Sequence, residues 1–152
     1  MKLTKRNYFS PKANREYMSV SQYKSFSKCQ NSALAELKGL YTRETTTALL
    51  VGSYVDSYFE GTLPRFVQDH PEIMKRDGTL KAEYVQANDI INRIERDSLF
   101  MEYLNGKSQV IMTGNINGID VKIKIDSFHP DKIVDLKIIK DFDTVYDAEK
   151  GS

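Results

Sequence analysis

Asp126, Asp135 and Lys137 are the residues whose types and spacing could do chemistry. Asp126 closes the alternating run Ile119–Asp126. In it Val121, Ile123 and Ile125 share one face and Asp120, Lys122, Lys124 and Asp126 the other. After the turn Ser127-Phe-His-Pro-Asp131, the run Ile133-Val-Asp-Leu-Lys-Ile-Ile139 is apolar on both faces, the pattern of a buried strand. Asp135 and Lys137 interrupt it, on one face with Ile133 and Ile139. Charge on a buried strand is costly unless compensated, and a divalent cation with a phosphate would compensate it. If the two strands pair antiparallel, both carboxylates project to one side and can share a hard cation. Such an ion takes oxygen ligands from carboxylates, water and substrate phosphate. The backbone carbonyl of Leu136 is a further oxygen donor. Lys137, next to the cation, would orient or help deprotonate an attacking water and offset charge on the phosphate. The competing reading is inert: Asp135 and Lys137 form an ion pair on an exposed face, and Asp126 initiates a turn.

A sheet and a set of helices must position these groups. Ser108–Ile116 reads as a first strand, and Asn117-Gly118 predicts a type I′ hairpin joining it to Ile119–Asp126. With the run bearing Asp135, this makes a three-stranded meander over residues 107–140. Upstream, residues 18–106 are predicted to be helical. Ser19-Val-Ser21 caps a helix reaching Gly39, with Tyr23, Phe26, Gln30, Ala33, Leu34 and Leu37 as its core stripe. Thr45-Thr-Thr47 caps a second helix running to about Glu60, with Ala48, Val51, Val55, Tyr58 and Phe59 apolar. Leu63–Gly78, with Pro64, Pro71 and a turn at Asp77-Gly78, reads as a loop. Thr79–Arg96 is the clearest helix, with Leu80, Tyr84, Ala87, Ile91 and Ile94 at helical spacing. A short helix capped by Asp97 or Ser98 follows it. Residues 1–17 read as a polar, basic arm.

Asp126 followed by Asp135-Leu-Lys137 resembles the motif of the PD-(D/E)XK nucleases, and its surroundings resemble the RecB/RecE-like phage exonucleases (exodeoxyribonuclease VIII-like). The helix Gly52-Ser-Tyr-Val-Asp-Ser-Tyr-Phe-Glu60 is similar to a G-x-x-x-H-x-x-x-E helix of that group, with Asp56 at the histidine position and Glu60 at the acid. The resemblance implies metal ligation by Asp126, Asp135 and the Leu136 carbonyl, with Asp56 as a further candidate ligand, and a catalytic role for Lys137. It implies Mg²⁺ or Mn²⁺ as cofactor and a restriction-endonuclease-like α+β core, with N-terminal helices packed on a small mixed or antiparallel sheet. DNA is the implied partner, with Lys122, Lys124 and Lys140 as its contacts. A phage single-strand annealing protein and further copies of the chain are the other partners within its scope. Such nucleases carry a Gln-x-x-x-Tyr helix after the D-x-K strand. No glutamine follows Lys137, and Tyr146 does not match, so the chain is expected to be the N-terminal portion of a longer protein. An inactive nuclease scaffold that binds DNA or a protein is the alternative.

Composition agrees with one ordinary globular domain: 152 residues, 28% charged and 40% hydrophobic. A net charge of +1 excludes a uniformly basic nucleic-acid binder and leaves only local clusters to meet phosphate. The single cysteine, Cys29, excludes an internal disulfide and the four-cysteine iron–sulfur cluster of some RecB-like nucleases. The first residues lack the apolar stretch of a secretion signal, and Ala48–Val51 is far short of a membrane span, so a cytoplasmic protein is expected.

Overall fold

The computed structural model describes residues Met1–Ile139, which divide into two compact units. The first comprises residues 1–44 and 106–134, the second residues 45–105 and 135–139. The expectations placed on Lys140 and on the stretch around Tyr146 lie outside the described residues.

The first unit is built on a hairpin. Strands β2 (Lys107–Ile116) and β3 (Ile119–Phe128) pair antiparallel from Ile116↔Ile119 to Lys107↔Phe128. Asn117 and Gly118 join them with φ of 51° and 84°, the two positive values that a type I′ turn demands and that Asn-Gly supplies at little strain. The other edge of β3 takes two short strands. Here β1 (Met18–Ser19) runs parallel through Met18↔Val121, and β4 (Ile133–Val134) antiparallel through Ser127↔Val134. The sheet is therefore mixed, with β3 as its centre.

Residues 1–17 are not a loose arm, as their polarity suggests. Ser10 caps helix α1 (Pro11–Glu16) by accepting from the Ala13 amide, and Pro11 favours the first turn. The Met1 amine meets Glu16 at 2.9 Å, Asn7 accepts from the Thr4 amide, and Tyr8 and Ala13 are buried. The helix expected to run unbroken to Gly39 is two helices, α2 (Val20–Lys28) and α3 (Gln30–Leu37). They break at Cys29, whose φ of −158° and ψ of 104° are extended. Ser19 and Gln22 form a reciprocal capping box at the start of α2. Of the stripe predicted as core, only Ala33 is fully buried, while Tyr23 and Leu34 are exposed.

The second unit is helical. Its core joins α4 (Thr47–Phe59), capped by Thr46, to α6 (Ala82–Arg96) through Leu50, Tyr54, Val55, Ile73, Tyr84, Ala87 and Ile91. The buried face of α4 is thus rotated from the one expected. Ala48 and Tyr58 are exposed, and Ser57 is buried because its hydroxyl donates to the Tyr54 carbonyl at 2.7 Å. The stretch expected as a loop contains helix α5 (Leu63–Asp69), with Pro64 in its first turn, and a 3₁₀ turn at Pro71–Ile73. Helix α7 (Ser98–Leu104) is capped by Asp97, which accepts from the Leu99 and Phe100 amides. No helix among the described residues is long and apolar enough to cross a membrane.

Candidate functional site

In the first unit the site residues lie along β3. Lys122, Lys124 and Asp126 occupy alternate positions of one strand and so share a face of the sheet. Their environments differ. Lys122 is 2% exposed, and its ammonium donates to the Tyr8 carbonyl at 2.6 Å and to Asn14 Oδ1 at 2.7 Å. It also sits 4.6 Å from the centre of the Tyr8 ring. Burial lowers its pKa from the ordinary lysine value. Lys122 therefore anchors the N-terminal segment to the sheet, and its expected role as a DNA contact is corrected. Lys124 is half-buried and lies 5.1 Å from the centre of the Phe9 ring. Asp126 is half-buried between buried Ile125 and Ser127.

Beyond Asp126 the chain is held tightly. The Ser127 hydroxyl accepts from the Gly106 amide at 2.9 Å and lies 3.2 Å from His129 Nε2. A Cβ on Gly106 would fall 2.5 Å from Ser127 Oγ and 2.7 Å from His129 Nε2, so this contact requires glycine. His129, expected as a turn residue, also bonds its amide to the Lys132 carbonyl at 2.9 Å. Sequence reading missed the roles of Tyr8, Asn14 and Gly106. It also missed Gln109, which is buried in β2 at φ 56°, a left-handed conformation that nothing in its residue type announces.

In the second unit Asp135, Leu136 and Lys137 follow directly on β4. The expectation of a long strand buried on both faces is corrected: β4 ends at Val134, and the following residues alternate. Leu136 and Ile138 are half-buried against the helical core, while Ile133, Asp135, Lys137 and Ile139 are exposed. The shared face of these four residues is as read, but its charges do not carry the penalty of a buried strand. Instead Lys137 Nζ meets Asp135 Oδ2 at 2.6 Å, with 74% and 52% of the two side chains exposed. Asp56 and Glu60 are half-buried on α4.

Among the described residues no three His, Cys, Asp or Glu side chains gather as a metal-holding group. Asp126, Asp135 and backbone carbonyls are hard oxygen donors, the type that divalent cations can take together with water and substrate phosphate.

Residues 19–151 match the family described as "PDDEXK-like domain of unknown function (DUF3799)". The crystal structure of a protein described as a "Putative exonuclease", from Eubacterium rectale, is 53% identical and superposes with a TM-score of 0.83. The match covers 86% of this chain and 51% of that one, so this chain spans about half the length of its structural relative. None of the curated proteins matches the sequence.

Proposed function

On the premise that this chain belongs to the PDDEXK-like family and has its α+β nuclease fold, we propose that it is the metal-binding part of a Mg²⁺- or Mn²⁺-dependent DNA exonuclease. The finer reading is a RecE-like enzyme of phage or prophage recombination that trims DNA ends. One observation carries it. Ser127, the neighbour of Asp126 on β3, pairs with Val134. Asp135 follows Val134 in the chain, which gives the order D…D-x-K, and Lys137 Nζ lies 2.6 Å from Asp135 Oδ2.

In this reading Asp126, Asp135 and the Leu136 carbonyl hold the cation, and Asp56 is a candidate further ligand. The bound ion would supply Lewis-acid polarisation of the scissile phosphate and acidify the attacking water. Asp135 would have a second task, since its 2.6 Å ion pair would keep the Lys137 ammonium close to a cation held by that carboxylate. From there Lys137 orients the water and stabilises charge as the phosphorus–oxygen bond breaks. Lys124 supports the DNA backbone.

A second reading is favoured by the exposure of the Asp135–Lys137 pair. A surface ion pair of this kind is also what an inactive scaffold that binds DNA or a protein would keep. Nucleotide release from a linear duplex in Mg²⁺ separates the two. The nuclease reading expects release by the wild type and none by folded Asp126→Asn or Asp135→Asn. Equal release by all three would overturn it.

A further inference from the structure

We infer that Phe9 is a stacking platform for an unpaired nucleobase of the DNA substrate, placed beside Asp126 by Lys124. The inference rests on the reading of Asp126 as part of the metal site. Phe9 is 67% exposed, yet its ring is not loose. Tyr8 packs against it edge-on, with ring centres 4.9 Å apart and planes at 85°, and Tyr8 is itself buried. The segment carrying both rings is tied down by the ammonium of Lys122 on the Tyr8 carbonyl and by the Ser10 cap of α1. An aromatic face held rigid in water is what a base needs in order to stack without an ordering cost.

Its neighbour supplies the other half of a nucleotide. The Lys124 ammonium lies 5.1 Å from the Phe9 ring centre, within reach of a phosphate attached to a base stacked there. Lys124 and Asp126 are two residues apart on β3, so their side chains rise from the same face about 6.6 Å apart along the strand. That is about one nucleotide step of an extended strand. A base on Phe9 and a phosphate on Lys124 would therefore put the adjoining phosphate at Asp126. The exposed side chains of Lys5 and Arg6 lie in the same N-terminal segment, and their charge favours a polyanion. A stacked aromatic has no sequence preference, which suits an enzyme that trims ends of any sequence.

The chain contains no tryptophan, so Phe9→Trp introduces a single reporter at the site. Titrating that variant with oligothymidylate in EDTA should quench its emission saturably, and a duplex sealed as a closed circle should quench it far less. Phe9→Ala and Phe9→Leu should each bind oligothymidylate about tenfold more weakly than wild type, while Phe9→Trp keeps wild-type affinity. The exposed position leaves the thermal melt of all three near wild type, which circular dichroism checks. Unquenched emission, equal quenching by the sealed duplex, or wild-type affinity in Phe9→Ala would each overturn the platform, even if the chain cleaves DNA in Mg²⁺. Conversely, quenching that survives in Phe9→Trp/Asp126→Asn supports it, and would do so even were the wild type to release no nucleotides.

Discussion

Replacing Lys122 by methionine removes the ammonium and keeps most of the apolar stem. In the folded chain that ammonium satisfies the Tyr8 carbonyl and Asn14 Oδ1, at 2.6 and 2.7 Å, and faces the Tyr8 ring at 4.6 Å. Stranding the two acceptors costs about 1–3 kcal/mol each, and the lost cation–π contact adds about 1 kcal/mol. Against this, methionine is spared the desolvation that lowers the Lys122 pKa. The net expectation is a loss of about 2–4 kcal/mol, a large share of the roughly 5–15 kcal/mol that a domain has in hand. For a chain of this length it lowers the melting midpoint by about 5–15 °C. Circular dichroism melts measure the loss. Limited trypsin digestion locates it, because cleavage after Lys5, Arg6, Lys12 and Arg15 should accelerate before cleavage elsewhere. A Lys122→Met protein with a wild-type melt and an unchanged digestion pattern would refute the anchor.

Gly106→Ala should destabilise the first unit by about 1–3 kcal/mol, since the new methyl falls 2.5 Å from Ser127 Oγ and 2.7 Å from His129 Nε2. Adding Ser127→Ala should recover part of this loss in a urea titration, and a double variant no more stable than Gly106→Ala would contradict the contact. Glu72 has its pKa held below the ordinary glutamate value, chiefly by the hydrogen bond from His70 at 2.9 Å. A depressed carboxyl contributes stability above its unfolded pKa and loses it as pH falls through the folded one. Below about pH 4.5 the Glu72→Gln protein should therefore show a shallower fall of melting temperature than wild type, and parallel curves would refute the coupling.

Local signals were legible in the sequence where the physics is local. Asn117-Gly118 set the hairpin and its register, because few dipeptides accept two positive φ values in succession. The stripe Tyr84, Ala87, Ile91 and Ile94 is buried as its spacing predicts, because the opposite face of α6 is polar enough to leave no choice. Helix α4 offered no such contrast. It is apolar nearly all round, Leu49 included, so periodicity could not choose the face that packs on α6. Lys122 was misread for a different reason. Alternation marks it as a solvent-facing lysine, and the segment that covers it is 114 residues away in the chain. The same distant cover explains why the polarity of residues 1–17 gave no sign of a folded segment. At Asp135 and Lys137 the spacing and shared face were readable, but burial was not. Ile133 and Ile139 are exposed despite their apolar side chains, so the charges between them sit in water.

The claim on which the functional account rests is that Asp126 and Asp135 hold one divalent cation together. Isothermal titration of Mn²⁺ into the wild type, Asp126→Asn and Asp135→Asn tests it without requiring turnover. The account predicts one site in the wild type, with binding lost in each folded variant. Wild-type Mn²⁺ binding in either variant would contradict it.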